Sequence, residues 1–230
     1  GTLKAQARRT RPDPDLLTAA GRMLAEAERP LILAGGGVHL SEAHDALLGL
    51  AEVEGIPVAH TMSGKGAIAC THALSAGLFG RYDRIANAMI AESDCLLVVG
   101  CKLGEIATKR FALIPPEKRL IHIDIVAEEI GRTTRADVAL AADARLALAD
   151  LAAFLADGSG RVRRRADWVA SVPKRMARWR EGARERLEAT ERPINVGRLL
   201  GALNRVLPAD AVLVADGGFA GHWGGLFFDT

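Results

Sequence analysis

Short continuous apolar runs alternate with amphipathic stretches over most of this chain. Residues 31–34, 56–59, 94–100 and 120–124 lack the strict alternation of a one-sided strand, so each is expected as a strand buried on both faces. Pro57 sits near the start of its run, where a missing N–H matters least. Residues 138–140 form a shorter run, expected as an edge strand, and 74–80 read as a glycine-punctuated loop or short strand. Between the runs the period changes to that of a helix. Leu16, Leu17, Ala20, Leu24 and Ala27 fall on one face, after an Asp13 cap and a Pro14 suited to the first helical position. A second helix is expected from about Ser41 to Glu54, with Ala43, Leu47, Leu50 and Ala51 inward and Gly55 as its stop. A third spans about 83–91, and Asp143 caps a fourth over about 144–156.

Strands joined by helices across residues 13–157 predict an α/β fold. The expectation is a doubly wound parallel sheet of about five to six strands with helices on both faces, because each parallel pair needs a crossover. Ligands of such sheets bind outside the carboxyl ends of the strands. Here those ends carry Gly35, Gly36 and Gly37, then Thr61 to Gly66, then Gly100 to Glu105, then Asp124 and Ile125. The triplet reads Gly35-x-Gly37-x-x-Leu40 and lacks the third glycine of a dinucleotide fingerprint. By itself it is equally a tight strand-to-helix turn.

From residue 157 the pattern changes. Gly158, Ser159 and Gly160 suggest a flexible break, followed by an arginine-rich helix carrying Trp168, Val172, Met176 and Trp179. Arginine mixed with tryptophan is compatible with nucleic acid, but a formal net charge of +2 favours a solvated linker helix whose tryptophans dock on a neighbouring domain. Residues 191–230 begin a further unit: a helix with Val196, Leu199, Leu200, Leu203 and Val206 apolar, Pro208 as its end, and a strand at 211–215 leading to Asp216, Gly217 and Gly218. The domain reading is therefore an N-terminal linker over 1–12, a central Rossmann-like domain over 13–157, a helical linker over 158–190, and the truncated start of a C-terminal domain over 191–230.

Composition adds exclusions. Of the 230 residues 49% are hydrophobic and 25% charged, the balance of an ordinary globular protein. No apolar run is long enough to span a bilayer, and the basic N-terminus has no apolar core of a secretory signal. Neither membrane nor nucleic acid is expected as a partner. Cys70, Cys95 and Cys101 are odd in number and lack metal spacing, which points to a reducing, cytoplasmic location. His39, His60 and His122 also lack metal spacing, and Cys101 is expected as a small packed residue. No metal ligand is predicted.

The phrases RPLILAGGGV, GIPVAHTMSGKGAI, HALSAGLFG followed by IAN, ESDCLLVVGCKLGE, IHIDIVAEEIG and a closing AAD occur in one order and spacing. On them, residues 29–157 resemble the central domain of thiamine-diphosphate-dependent enzymes of the acetolactate synthase type. Residues 191–230 resemble the opening of the family's last domain, where Asp-x-Gly is followed five residues on by tryptophan, here Asp216-Gly217-Gly218 and Trp223. The resemblance implies a parent enzyme using thiamine diphosphate and Mg2+ to decarboxylate a small 2-oxo acid and join the product to an acceptor, as a homodimer or homotetramer. The family's activating glutamate and its Gly-Asp-Gly…Asn run are not in these residues, so the fragment alone is expected to be inactive. The matching positions for a nucleotide are Gly35, Gly36, Gly37, Thr61, Met62, Gly100, Lys102, Asp124, Ile125 and Asp143. Those for the thiamine diphosphate are Gly218, Phe219 and Ala220, with His222 as the catalytic candidate.

Two departures weigh against FAD. The family's Gly-x-Arg-Phe-Asp-Asp-Arg stretch reads Gly100-Cys101-Lys102-Leu103-Gly104-Glu105-Ile106 here, and lysine cannot grip a pyrophosphate bidentately. The histidine-bearing loop of the synthases reads Gly80-Arg81-Tyr82-Asp83. An empty remnant pocket is therefore expected, with FAD and an ADP-like ligand as alternatives. The competing reading is a stand-alone nucleotide-binding or regulatory module of the same fold.

Overall fold

The computed structural model describes residues 9–156, 159–208 and 210–230. The elements follow in the order α1 Pro14–Glu26, β1 Pro30–Ala34, α2 Gly37–Leu40, α3 His44–Glu54, β2 Val58–His60, β3 Ser75–Leu78, α4 Ala86–Glu92, β4 Cys95–Val99, β5 Leu120–Asp124, a 3-10 turn Ala127–Glu129, β6 Val138–Ala141, α5 Ala144–Phe154, α6 Ser159–Arg164, α7 Ala166–Leu187, α8 Val196–Val206 and α9 Phe219–Phe227. The first helix starts as its residues dictate: the Asp13 carboxylate accepts from the N–H groups of Asp15 and Leu16, and Pro14 occupies the first turn. At the other end of α3, Gly55 takes the left-handed conformation (φ +61°) that closes the helix.

The six strands form one parallel sheet in the order β3-β2-β1-β4-β5-β6. The α/β expectation is met, and residues 75–78 resolve as a strand. Alternate residues of each strand face opposite layers. Ile32, Val58, Leu97, Val99, Ile121 and Ile123 join the core under α1, α3 and α5, while Leu31, Leu33, Ala59, Leu96, Val98 and Leu120 join the core under α4 and α7. Burial on both faces explains why these runs carry no polar alternation.

Three expectations change. The helix expected from about Ser41 is two: a single turn, α2, and then α3 from His44. Glu42 between them has φ +52°, a backbone turn that periodicity does not reveal. The strand expected at 211–215 does not form. Residues 211–216 are irregular, and Val212 and Val214 are 86% and 89% exposed. A strand needs a ladder partner, and no described neighbour supplies one here. The flexible break falls partly outside the described residues at 157–158, whereas Ser159 and Gly160 open α6.

The arginine-rich segment does more than link. Trp168, Val172 and Met176 of α7 belong to the sheet's second core, and the Trp168 indole donates to Pro30 O (2.8 Å). Arg165, fully buried, donates to Ala27 O (3.0 Å), Leu24 O, Glu54 O (2.7 Å) and the Glu54 carboxylate (3.1 Å). It therefore plugs the carbonyl ends of α1 and α3 at once, where the helix dipoles favour a cation. Arg161 adds a bidentate pair to Glu54 (2.8 and 2.9 Å).

Candidate functional site at the switch point of the sheet

From β1 the chain winds outward through β2 to β3, then returns to place β4 on the other side of β1. The windings diverge between β1 and β4, and such a switch point leaves a crevice outside the strand ends. A cleft of about 800 Å³ lies there. Its floor is glycine backbone. A Cβ on Gly35 would fall 2.1 Å from Gly100 O, and one on Gly37 would fall 2.6 Å from the Gly100 Cα. Gly100 itself has φ +54°. The two turns are locked by Gly35 N–H to Val99 O (2.9 Å) and Gly37 N–H to Gly100 O (3.0 Å). Gly35 and Gly37 are thus required first by backbone against backbone.

Gly35, Gly36, Gly37, Thr61, Met62, Gly100 and Lys102 all line this cleft. The opposite wall comes from the C-terminal segment, through Gly217, Gly218, Gly221 and His222. The His222 ring sits 4.7 Å from the Tyr82 ring, which holds the imidazole at the cleft mouth. Five expected residues lie elsewhere. Asp124 is buried and accepts from the Val126 N–H (2.9 Å), ordering the chain before the 3-10 turn. Asp143 caps α5 through the Leu146 N–H (3.2 Å) and pairs with Arg9 (2.9 Å). Ile125, Phe219 and Ala220 are exposed outside the cleft wall. Lys102 is engaged by Glu129 at 3.2 Å. Residues 103–107 complete the wall; of these, 103–106 were read from sequence only as the stretch that lacks the family's arginines. Leu103 adopts φ +48°, a backbone turn that the residue types do not signal.

The C-terminal segment reaches this position through a few strong contacts. Arg84, with its side chain only 2% exposed, donates to Leu226 O (2.8 Å) and pairs with Asp229 (2.8 Å) while lying 4.9 Å from the Trp179 ring. Trp179 and Trp223 flank Phe227 at 5.7 and 5.3 Å. A second cluster lies beneath α9. Lys65 Nζ donates to Cys70 Sγ and Gly225 O, both at 3.3 Å, and Thr230 Oγ1 is 3.3 Å from the same sulfur. Burial pushes the Cys70 thiol up, but His60, Lys65, Arg84 and Thr230 together outweigh it and bring the thiol down to about 5. Burial also lowers the Lys65 ammonium. At Cys95 and Cys101 burial prevails and pushes the thiols up to about 12 and about 11.

Two features bound the chemistry. Among the described residues no group of three or more His, Cys, Asp or Glu is arranged to hold a metal ion. No described helix is long and apolar enough to cross a membrane.

Comparison with known proteins agrees with this architecture. Residues 17–151 match the family described as thiamine pyrophosphate enzyme, central domain. The chain belongs to that family. It is 42% identical over 143 residues to a probable acetolactate synthase large subunit of Methanocaldococcus jannaschii, covering 62% of this chain and 24% of that protein. It is 32% identical over 216 residues to an acetolactate synthase large subunit of Parasynechococcus marenigrum, covering 92% of this chain and 34% of that one. With an acetolactate synthase of Mycobacterium leprae it shares 33% over 147 residues, 64% of this chain and 24% of that protein. The chain thus spans between about a quarter and a third of the length of these relatives.

Proposed function

We propose that this chain is the central region of a thiamine-diphosphate- and Mg2+-dependent, acetolactate synthase-like enzyme. The whole protein would decarboxylate a small 2-oxo acid and join the product to an acceptor, as a cytoplasmic homodimer or homotetramer. The observation that carries this reading is a likeness running through both parts of the chain. One acetolactate synthase large subunit aligns over 92% of it, through the sheet and into the segment that walls the cleft.

The residues present fit one part of the cofactor. Gly218 (φ +67°), on the cleft wall, turns the chain into α9, whose first-turn N–H groups at Phe219 and Ala220 lie just outside that wall and carry no side-chain cap. Those groups would hold the diphosphate by backbone donation and helix dipole, independently of side chain. Thiamine diphosphate, when bound, supplies the electron sink that lets a 2-oxo acid lose carbon dioxide and pass its remaining carbons to an acceptor. His222, held against Tyr82, would accept or return a proton at its imidazole. The glycine floor and the apolar wall at Phe79, Leu103 and Ile106 would keep water out. We assign the Mg2+ ligands to the Gly-Asp-Gly…Asn run of the family, outside these residues.

The same cleft does not fit FAD. Lys102 is the one Lys or Arg on its described wall, and its ammonium is paired with Glu129. Asp124 and Asp143 are committed to backbone groups. Calorimetric titration of this chain with FAD, ADP and thiamine diphosphate should give no FAD binding, and carbon dioxide release from pyruvate should be absent with thiamine diphosphate and Mg2+ present. A longer protein containing this sequence should release carbon dioxide from a 2-oxo acid. Turnover by the chain alone, or its absence in the longer protein, contradicts the proposal.

A further inference from the structure

Cys70 is buried with three chemical neighbours, and none of them belongs to the cleft. Lys65 Nζ is 3.3 Å from its sulfur, and Thr230 Oγ1 is 3.3 Å from it on another side. The third is His60, whose side chain is fully buried. His60 Nδ1 lies 3.0 Å from Thr61 O, a carbonyl that can only accept, so Nδ1 carries the proton. Nε2 is then a bare acceptor. It has no hydrogen-bond partner, and His60 is among the groups that lower the Cys70 thiol. A thiol in contact with an amine, with a buried and unpartnered base acting on it, is an arrangement that packing alone does not require.

We propose that Cys70 and Lys65 form a peroxide-responsive modification site that closes into a sulfur–nitrogen cross-link. Hydrogen peroxide is the co-reactant. The Cys70 thiolate attacks one peroxide oxygen, the O–O bond breaks, hydroxide leaves and takes up the thiol's proton from His60 as water, and sulfur is oxidised by two electrons to the sulfenic acid. The new S–O–H finds an acceptor in His60 Nε2. Neutral Lys65 Nζ then attacks sulfur, the S–N bond forms as the S–O bond breaks, and hydroxide departs with the amine proton as water. In sum one thiol, one amine and one peroxide give one S–N bond and two waters. Two thiols of an added reductant reverse it, restoring thiol and amine. The lowered pKa of Cys70 supplies the thiolate, and the lowered Lys65 favours the neutral amine. The bond would pin residues 65–70 beneath α9, behind Thr61 and Met62 of the cleft wall.

The test uses the full 230-residue chain exposed to hydrogen peroxide, followed by intact mass and peptide mapping. The expected product has lost two hydrogen atoms, joins the Lys65 and Cys70 peptides, and returns to the starting mass with dithiothreitol. Cys95 and Cys101 in the same molecule are internal controls, and Cys70 should react roughly tenfold faster than either. In Lys65→Met the cross-link should vanish and a sulfenic acid at Cys70 should be trapped by dimedone. Equal oxidation of the three cysteines overturns the proposal. So does wild-type Cys70 stopping at the sulfenic acid. The within-molecule comparison needs no variant and stands if Lys65→Met fails to fold.

Discussion

One methyl group separates Gly35 from alanine, and here it would sit 2.1 Å from the Gly100 carbonyl oxygen and 2.6 Å from the Cys101 Cα. Both are backbone atoms of β4's exit turn, so no side chain can rotate away. Gly35→Ala should cost about 2–3 kcal/mol as an overpacking substitution. Gly49, in the middle of α3, has no atom within 4 Å of a built Cβ. Gly49→Ala should therefore stabilise by about 0.5–1 kcal/mol through helix propensity alone. Urea unfolding of the two variants checks the opposite signs, and equal effects would remove the backbone-contact explanation of the triplet. At this scale the sequence showed that close approach was required and hid what approached. Glycine spacing cannot tell a phosphate from another turn of the same chain. Asp124 likewise looked like a ribose partner because it ends a strand, yet its carboxylate is turned back onto the Val126 N–H.

Arg165 and Glu54 show what an element boundary can conceal. Arg165 rides on a segment whose charge suggested solvent, yet its side chain and that of Glu54 are 0% and 1% exposed and face each other at 3.1 Å. Arg165 also satisfies three carbonyls at the ends of α1 and α3. Arg165→Met should destabilise by about 3–5 kcal/mol, because it leaves a buried carboxylate with Arg161 as its remaining partner and removes the guanidinium donor from those carbonyls. The double variant Glu54→Gln with Arg165→Met should recover part of the loss, which a thermodynamic cycle on four proteins would measure; purely additive losses would rule out coupling. The strands and most helices were legible, since burial on one face or two writes a local period. Long-range uses of charge leave no period. The false strand at 211–215 errs the other way: Val212 and Val214 have the composition of a strand but no ladder beside them.

On the scale of the whole molecule, proton binding and segment docking act together. Cys70 at about 5 lies below the value near 9 of a free thiol, so its share of stability is complete above that higher value and is lost as pH falls toward 5. His39 and His122 are both lowered by burial, which disfavours protonation of the folded rings. They subtract stability once pH falls below their ordinary value of 6.5, where the unfolded chain takes up protons that the folded one refuses. Asp83, raised by burial, works in the opposite sense in the acid range. The melting temperature should therefore rise from about pH 5.5 to about pH 8, and scanning calorimetry across that range would show a flat or falling profile if these assignments fail.

Cys70 titrates under α9, so part of this pH dependence belongs to the docking of the C-terminal segment rather than to the sheet. Arg84 is the anchor that separates the two. It grips Leu226 O and Asp229 from the central domain and stacks near Trp179, while the sheet's own ladders run without it. Arg84→Met should leave the exchange protection of β1 and β4 intact and raise amide exchange over 219–230. It should also expose Cys70 to alkylation, because Thr230 Oγ1 and the Thr230 carbonyl, which accepts from the Cys70 N–H at 2.8 Å, would leave with the segment. The pH profile of that variant should lose its Cys70 component and keep its His122 component, since His122 lies within the sheet, 3.0 Å from Cys101 O. Faster exchange spread evenly over the sheet and the C-terminal segment would show instead that the two fold as one unit, with the cleft between them as rigid as the core.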